Sequence, residues 1–212
     1  MSGRPVRVFF ERVGDARFLS HLDFLRVVER AIRRSGLVVD YTEGFNPRIR
    51  ITLPQALPVA VACRGDCFGI RVAIETSIDA IARSFEGVFP PAIRVLRVEE
   101  GPPPRSIEPV WLQLRINDGH AAAIAVAAVL RADEDVRYAR NFAHDGAVYI
   151  ELARSDVGGT PLKIKECMEH VAGVLAGLGV TTGLGELTRV CGAEAVEYEH
   201  ALAGIGVAPP LN

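Results

Sequence analysis

Between Val6 and Val98 the spacing of apolar residues switches from two to about 3.6 and back again, twice over. Val6–Arg12 (VRVFFER) is β-branched and aromatic and ends at the turn signal Gly14-Asp15, which predicts a strand. Ser20–Ser35 has helical spacing and stops at Gly36, a natural residue after a helix C-terminus. Leu37–Thr42 and Arg48–Leu53 read as one strand interrupted by the loop Gly44-Phe45-Asn46-Pro47. Phe68–Ile74 alternates again, Ser77 caps a helix reaching Phe85, and Ile93–Val98 closes the series. The order β-α-β-β-α-β is that of a ferredoxin-like split unit.

Gly101-Pro102-Pro103-Pro104-Arg105 then interrupts the pattern with a stiff, polyproline-type connection. Beyond it the order repeats. Val110–Ile116 is strand-like, Gly119–Leu130 is an alanine-rich helix, and Val136–Asn141 and Ala147–Ala153 form a hairpin about His144-Asp145-Gly146. Pro161–Leu178 is helical, and Thr188–Cys191 is part of a last strand. The expected fold class is α+β with two tandem ferredoxin-like (βαββαβ) units: residues 1–100, a Pro-rich linker at 101–109, and residues 110–212.

Charge divides along the same line. Met1–Arg105 holds 16 Arg against 12 Asp and Glu, a net of +4, while the remainder nets −6. An acidic partner is therefore expected to meet the first half. No apolar run approaches the roughly 20 residues of a membrane span, so no membrane association and a cytoplasmic location are expected. The four cysteines, Cys63, Cys67, Cys167 and Cys191, are too scattered for a secreted disulfide scaffold. Cys63-Arg64-Gly65-Asp66-Cys67 supplies two ligands of a C-x-x-x-C-x-x-C cluster run but not the third. A zinc site from this pair lacks the usual spacing, and neither metal nor cofactor is expected.

The first helix carries the most information. Ser20 followed by Asp23 fits a capping box, and the carboxylate also complements the helix dipole. At about 100° per residue, Arg26, Arg30, Arg33 and Arg34 share one arc with Asp23 and Glu29. Phe24, Leu25, Val27, Val28, Ala31 and Ile32 occupy the other, and Leu22 is stranded on the charged side. His21 falls at the N-terminal end of the apolar arc, where it is expected to face the sheet and be held neutral. The arginines read either as a solvated face balanced by Asp23 and Glu29 or as a phosphate-contacting one, joined by Arg48 and Arg50. In Asp40–Leu53 (DYTEGFNPRIRITL), Gly44 and Asn46 permit positive φ and Pro47 fixes the exit. A plain turn does not need Tyr41, Glu43, Phe45 and Arg48 together.

FLSHLDFLRVVERAIRRSGL and YTEGFNPRIRITLPQALPV together resemble the radical-SAM-linked protein family, found beside or fused to a radical SAM protein. The resemblance rests on SHLD-x-x-R, R-A-x-R-R and E-G-F-N-P and covers Val6–Ile74. Pro58–Cys63 (PVAVAC) and Asp66-Cys67-Phe68 depart from the family's pattern. What the resemblance implies is a non-catalytic accessory partner of a radical SAM protein.

Three functions follow as expectations. The first is an RNA-binding or substrate-presenting subunit whose surface comprises Ser20, His21, Asp23, Arg26, Arg30, Arg33, Tyr41, Glu43, Phe45, Asn46 and Arg48. The second is an endoribonuclease resembling repeat-associated RNA-processing proteins, with His21 as base, Tyr41 or Ser20 assisting and Arg48 on the phosphorane. The third is a protein-docking module that binds no RNA. A small-molecule site between the two units also stays open.

Overall fold

Strand β1 (Arg4–Arg12) organises the first half of the chain. Its alternation sends Val6, Val8 and Phe10 into a hydrophobic core and leaves Arg7, Phe9 and Glu11 for the opposite face. The computed structural model describes residues 3–104 other than Gln55 and Leu57, together with residues 110–116, 136–144, 147–154 and 187–191. It also describes positions 124, 125, 128, 169, 172, 173, 176, 177 and 179. The chain is an α+β protein that divides into two compact units, Met1–Ile107 and Glu108–Asn212.

In the first unit β1 pairs antiparallel with β2 (Val61–Val72) on one side and β3 (Ile93–Glu100) on the other. Helices α1 (His21–Ser35) and α2 (Ile78–Ser84) contribute to the core. From α1 come Phe24, Val27, Val28 and Ile32, and from α2 Ile81. The Phe10 and Phe24 rings lie 4.9 Å apart, and Phe68 sits among Phe10, Phe85 and Phe89 at 6.0 to 6.4 Å. Each buried ring contributes about 1.5–3 kcal/mol. On the other sheet face the Arg97 guanidinium lies 3.6 Å from the Phe9 centroid, and Glu99 holds both Arg97 and Arg7 at 2.8 Å. Those two cations, Arg97 foremost, hold the Glu99 carboxyl below its ordinary value.

Two expectations about this sheet need correction. Strand β2 starts at Val61 rather than Phe68 and ends at Val72. Gly65, at φ +88°, is the extra residue of a β-bulge, because Glu11 faces Arg64 while Phe10 faces Asp66. The bulge broke the alternation that marks a strand. The second correction concerns the side of β2 away from β1. Leu37–Thr42 and Arg48–Leu53 form no continuous strand; among the described residues of this stretch only Val39 and Thr52 bridge to β2, at Val72 and Gly69. Three steps along β2 therefore face thirteen along the partner, and ten residues are looped out. They close on themselves through a bridge between Tyr41 and Ile49.

The segment read as a linker begins bound to this unit. The Gly101 amide donates to the Pro5 carbonyl at 2.9 Å. Pro103 lies against Gly69 so closely that a Cβ there would stand 2.4 Å from its Cδ.

In the second unit β4 (Val110–Ile116) pairs antiparallel with β6 (Ala147–Arg154) and β7 (Leu187–Cys191), and β5 (Val136–His144) pairs with β6. The strand order is β7-β4-β6-β5. The expected helices Gly119–Leu130 and Pro161–Leu178 lie mostly outside the described residues, and their described positions 124, 125, 128, 169, 172, 173, 176 and 177 are helical. Among the described residues no helix is long and apolar enough to cross a membrane.

Candidate functional site

The head of α1 is built by its cap. Ser20 is extended, at φ −65° and ψ 164°, and its Oγ accepts the Asp23 amide at 3.2 Å. The same hydroxyl donates to Asp23 Oδ2 at 2.7 Å, and Arg26 Nη1 donates to Oδ1 at 2.9 Å. Ser20 first and Arg26 second hold the Asp23 carboxyl below its ordinary 3.8. Asp23 is thus occupied by its own turn.

His21 overturns an expectation: it is exposed, not turned into the core. The helical wheel places it on the apolar arc, but the first residue of α1 to be buried is Phe24, one turn further on. An apolar direction buries a side chain only where another layer lies beneath it.

The neighbour of this turn is the run leading into β2. The Ala60 amide donates to the Arg17 carbonyl at 2.9 Å, and Ala60 adopts φ +71°. Arg12 ties the region together from beneath. It is buried, lies over Phe24 at 5.4 Å, and donates to the carbonyls of Val61 at 3.0 Å and Leu19 at 3.4 Å. Sequence reasoning missed Arg12; its only signal is a cation at the end of an otherwise apolar inward alternation. Phe18, Leu22 and Val59 leave apolar surface in solvent here, and Leu22 was the residue stranded on the charged arc.

The looped-out hairpin is the second part. The Thr42 amide donates to the Arg48 carbonyl at 2.8 Å, and the Arg48 amide to Thr42 Oγ1 at 2.9 Å. Arg50 closes the base twice, by its amide to the Asp40 carbonyl and its Nε to the Tyr41 carbonyl, both at 3.0 Å. Asp40 is pinned in turn by Arg71 at 3.1 Å. Gly44 takes φ +115°, which a side chain would resist. Tyr41, Glu43, Asn46 and Arg48 are exposed, and Phe45 is wholly so, at 104%. Beneath the hairpin a groove of about 810 Å³ runs between Val38, Tyr41, Arg71 and Ile74.

The arginine stripe joins these parts. Arg26 is paired with Asp23, and Arg33 with Glu29 at 2.6 Å. Arg30 and Arg34 are exposed and make no ion pair among the described residues, and neither does Arg48. At 1.5 Å per residue α1 is about 22 Å long. Ser20 and His21 begin it, whereas the hairpin base at Val39 and Asp40 follows its far end. Arg34, in the last turn, belongs to the hairpin's end, where it also complements the dipole.

Cys63 and Cys67 lie inside β2, not at its start, and both are buried. Four residues apart on a regular strand they would share a face. The Gly65 bulge reverses this: Cys63 pairs with Arg12 on the helix side, and Cys67 with Phe9 on the other. Among the described residues no group of three or more His, Cys, Asp or Glu stands together as a metal site.

What this architecture defines is an α+β protein with a capped arginine-rich helix and an aromatic hairpin looped out beside β2. Residues 5–113, about half of the chain, match the family described as uncharacterised proteins conserved in bacteria (DUF2344), and the chain belongs to that family. No curated protein matches. Among solved structures, one described as a glycine cleavage system transcriptional repressor is 11% identical, with 86% of this chain and 96% of that chain covered. Its TM-score is 0.25, too low to inform fold or function.

Proposed function

We propose that this chain is a non-catalytic, RNA-binding or substrate-presenting subunit of a radical SAM enzyme, built from two ferredoxin-like units in tandem. The observation that carries the RNA reading is the hairpin. Ten residues are looped out from β2, and they set Phe45 wholly in solvent on the same hairpin as the exposed Tyr41 and Arg48, the latter with no ion pair among the described residues. Exposed aromatic faces next to free cations suit nucleic-acid bases and phosphates. The radical SAM partner follows from the resemblance of the SHLD and EGFNP elements. That protein would meet the opposite end of α1, where Phe18, Leu22 and Val59 expose apolar surface.

The test incubates the purified chain with cellular RNA at two salt concentrations and recovers what is retained. Retention at low salt that weakens on Arg30→Glu plus Arg34→Glu supports the reading; no retention at either salt refutes it. Leu22→Glu should abolish co-elution with a purified radical SAM partner while leaving RNA retention intact.

The exposure of His21 favours a second reading, the endoribonuclease, because substrate can reach the imidazole. Against it, Asp23 is engaged by Ser20 and Arg26, and Tyr41 and Arg48 follow the other end of a helix about 22 Å long. RNA fragments that disappear with His21→Ala would favour the nuclease over the binding subunit.

A further inference from the structure

Resting on the RNA-binding reading, we infer that the hairpin Tyr41–Ile49 is a stacking platform for single-stranded RNA, with an unstacked base seated on Phe45. The argument begins with what surrounds that ring. Phe45 is 104% exposed and no other side chain packs on it among the described residues. Its neighbours in the chain are Glu43, Gly44, Asn46, Pro47 and Arg48, and Glu43, Asn46 and Arg48 are themselves exposed and polar. A protein-docking anchor works in a well-packed, desolvated pocket; this ring stands in open solvent with no such pocket around it among the described residues. A nucleobase needs no pocket, because it brings its own flat face and gains by covering the ring.

The hairpin is also closed before any ligand arrives. The two hydrogen bonds between Thr42 and Arg48, and the two from Arg50 to the base, hold the arms together. Little ordering remains to oppose binding. Duplex RNA cannot use the platform, since its bases are already stacked and its sequence-bearing groove is too narrow to enter. A single strand can offer a base to Phe45 and its phosphates to Arg48. Arg34 and Arg30, one turn apart on α1, continue the cationic track from the hairpin's end of the helix. Stacking is tolerant of base identity, so the platform selects strandedness above sequence.

The experiment uses the full chain and fluorescein-labelled oligouridine of about twelve nucleotides, against a mixed-sequence duplex of equal length, by anisotropy over a range of salt. The single strand is expected to bind more tightly than the duplex. Phe45→Ala should weaken it by about five- to a hundredfold, with the salt slope unchanged. Arg48→Gln and Arg34→Gln should each flatten the slope by about 0.7. Phe45→Trp should keep affinity, and its added fluorescence should be quenched by the single strand. Because the ring is wholly exposed, the Phe45 variants keep the fold, which circular dichroism verifies. Equal binding of both forms, untouched by Phe45→Ala, would overturn the stacking platform and leave the RNA reading standing. Absence of binding by either form at low salt would overturn both.

Discussion

The Ser20 hydroxyl donates to Asp23 Oδ2 at 2.7 Å and accepts the Asp23 amide at 3.2 Å, so one side chain ties the cap of α1 to Asp23 twice. Removing it with Ser20→Ala should cost about 1 kcal/mol, the usual loss for an N-cap. The pair also sets a pH dependence. Asp23 titrates below 3.8 in the folded chain, chiefly because of Ser20, so its stabilisation is present above that value. It is lost as pH falls through the lowered folded-state pKa. Urea unfolding of the parent and the variant should therefore differ most near neutrality, and the gap should narrow at acid pH below 3.8.

Gly69 and Pro103 form a second contact that a small change should break. A Cβ at Gly69 would lie 2.4 Å from Pro103 Cδ and 2.6 Å from Cγ, but 3.5 Å from Cβ. Gly69→Ala should destabilise the first unit by about 1–3 kcal/mol through overpacking. Pro103→Ala removes the two offending atoms and leaves the one at ordinary contact distance. A double-mutant cycle by urea unfolding should show the Gly69→Ala penalty largely relieved in the double variant. Simple additivity would mean that the proline segment does not lie on β2 in solution.

Parts of this arrangement are legible in the sequence because they depend on period alone. The α1 wheel separates Phe24, Val27, Val28, Ala31 and Ile32, all buried, from Leu22, which is exposed as expected. His21 misleads because a wheel gives direction around an axis and not the extent of the layer beneath. The bulge at Gly65 hides the first half of β2 and sends Cys63 and Cys67 to opposite faces, which spacing alone would put together. The hairpin is half legible. Gly44, Asn46 and Pro47 mark a turn, but its ten looped-out residues emerge only from the register against Val72 and Gly69.

The buried position of Cys67 should silence its chemistry. Desolvation first, and Asp66 second, push the thiol from 9.0 up to about 12, despite Arg7 and Arg97. Since the thiolate is the nucleophile, alkylation at pH 8 should run at least about a thousandfold slower than for a free thiol. Peptide mapping after iodoacetamide treatment would isolate this residue from Cys63, Cys167 and Cys191. The raised pKa also contributes stability that is full below 9.0 and lost as pH rises towards 12. Alkaline unfolding should begin above about 9, and Cys67→Ser should change that limb without altering the acid one.

Phe45 and Ile49 stand four residues apart on one hairpin, and their surroundings are opposite. Ile49 is 6% exposed and belongs to the core, whereas its neighbours from Tyr41 to Arg48 and Arg50 are exposed. Ile49 is thus the apolar peg that fixes the hairpin to the first unit. Ile49→Ala should cost about 2–5 kcal/mol, the range for a buried isoleucine. Phe45→Ala should leave stability within about 0.5 kcal/mol, as for an exposed site. Both should weaken single-stranded RNA binding, but by different routes. With Phe45→Ala the amide protection of Thr42, Arg48 and Arg50 should persist, because the bonds closing the arms remain. With Ile49→Ala the same amides should exchange faster, since the hairpin has lost its anchor. Hydrogen exchange on the two variants would separate loss of the contact surface from loss of its support. Unchanged exchange in Ile49→Ala would show that the backbone bonds hold the hairpin without the core.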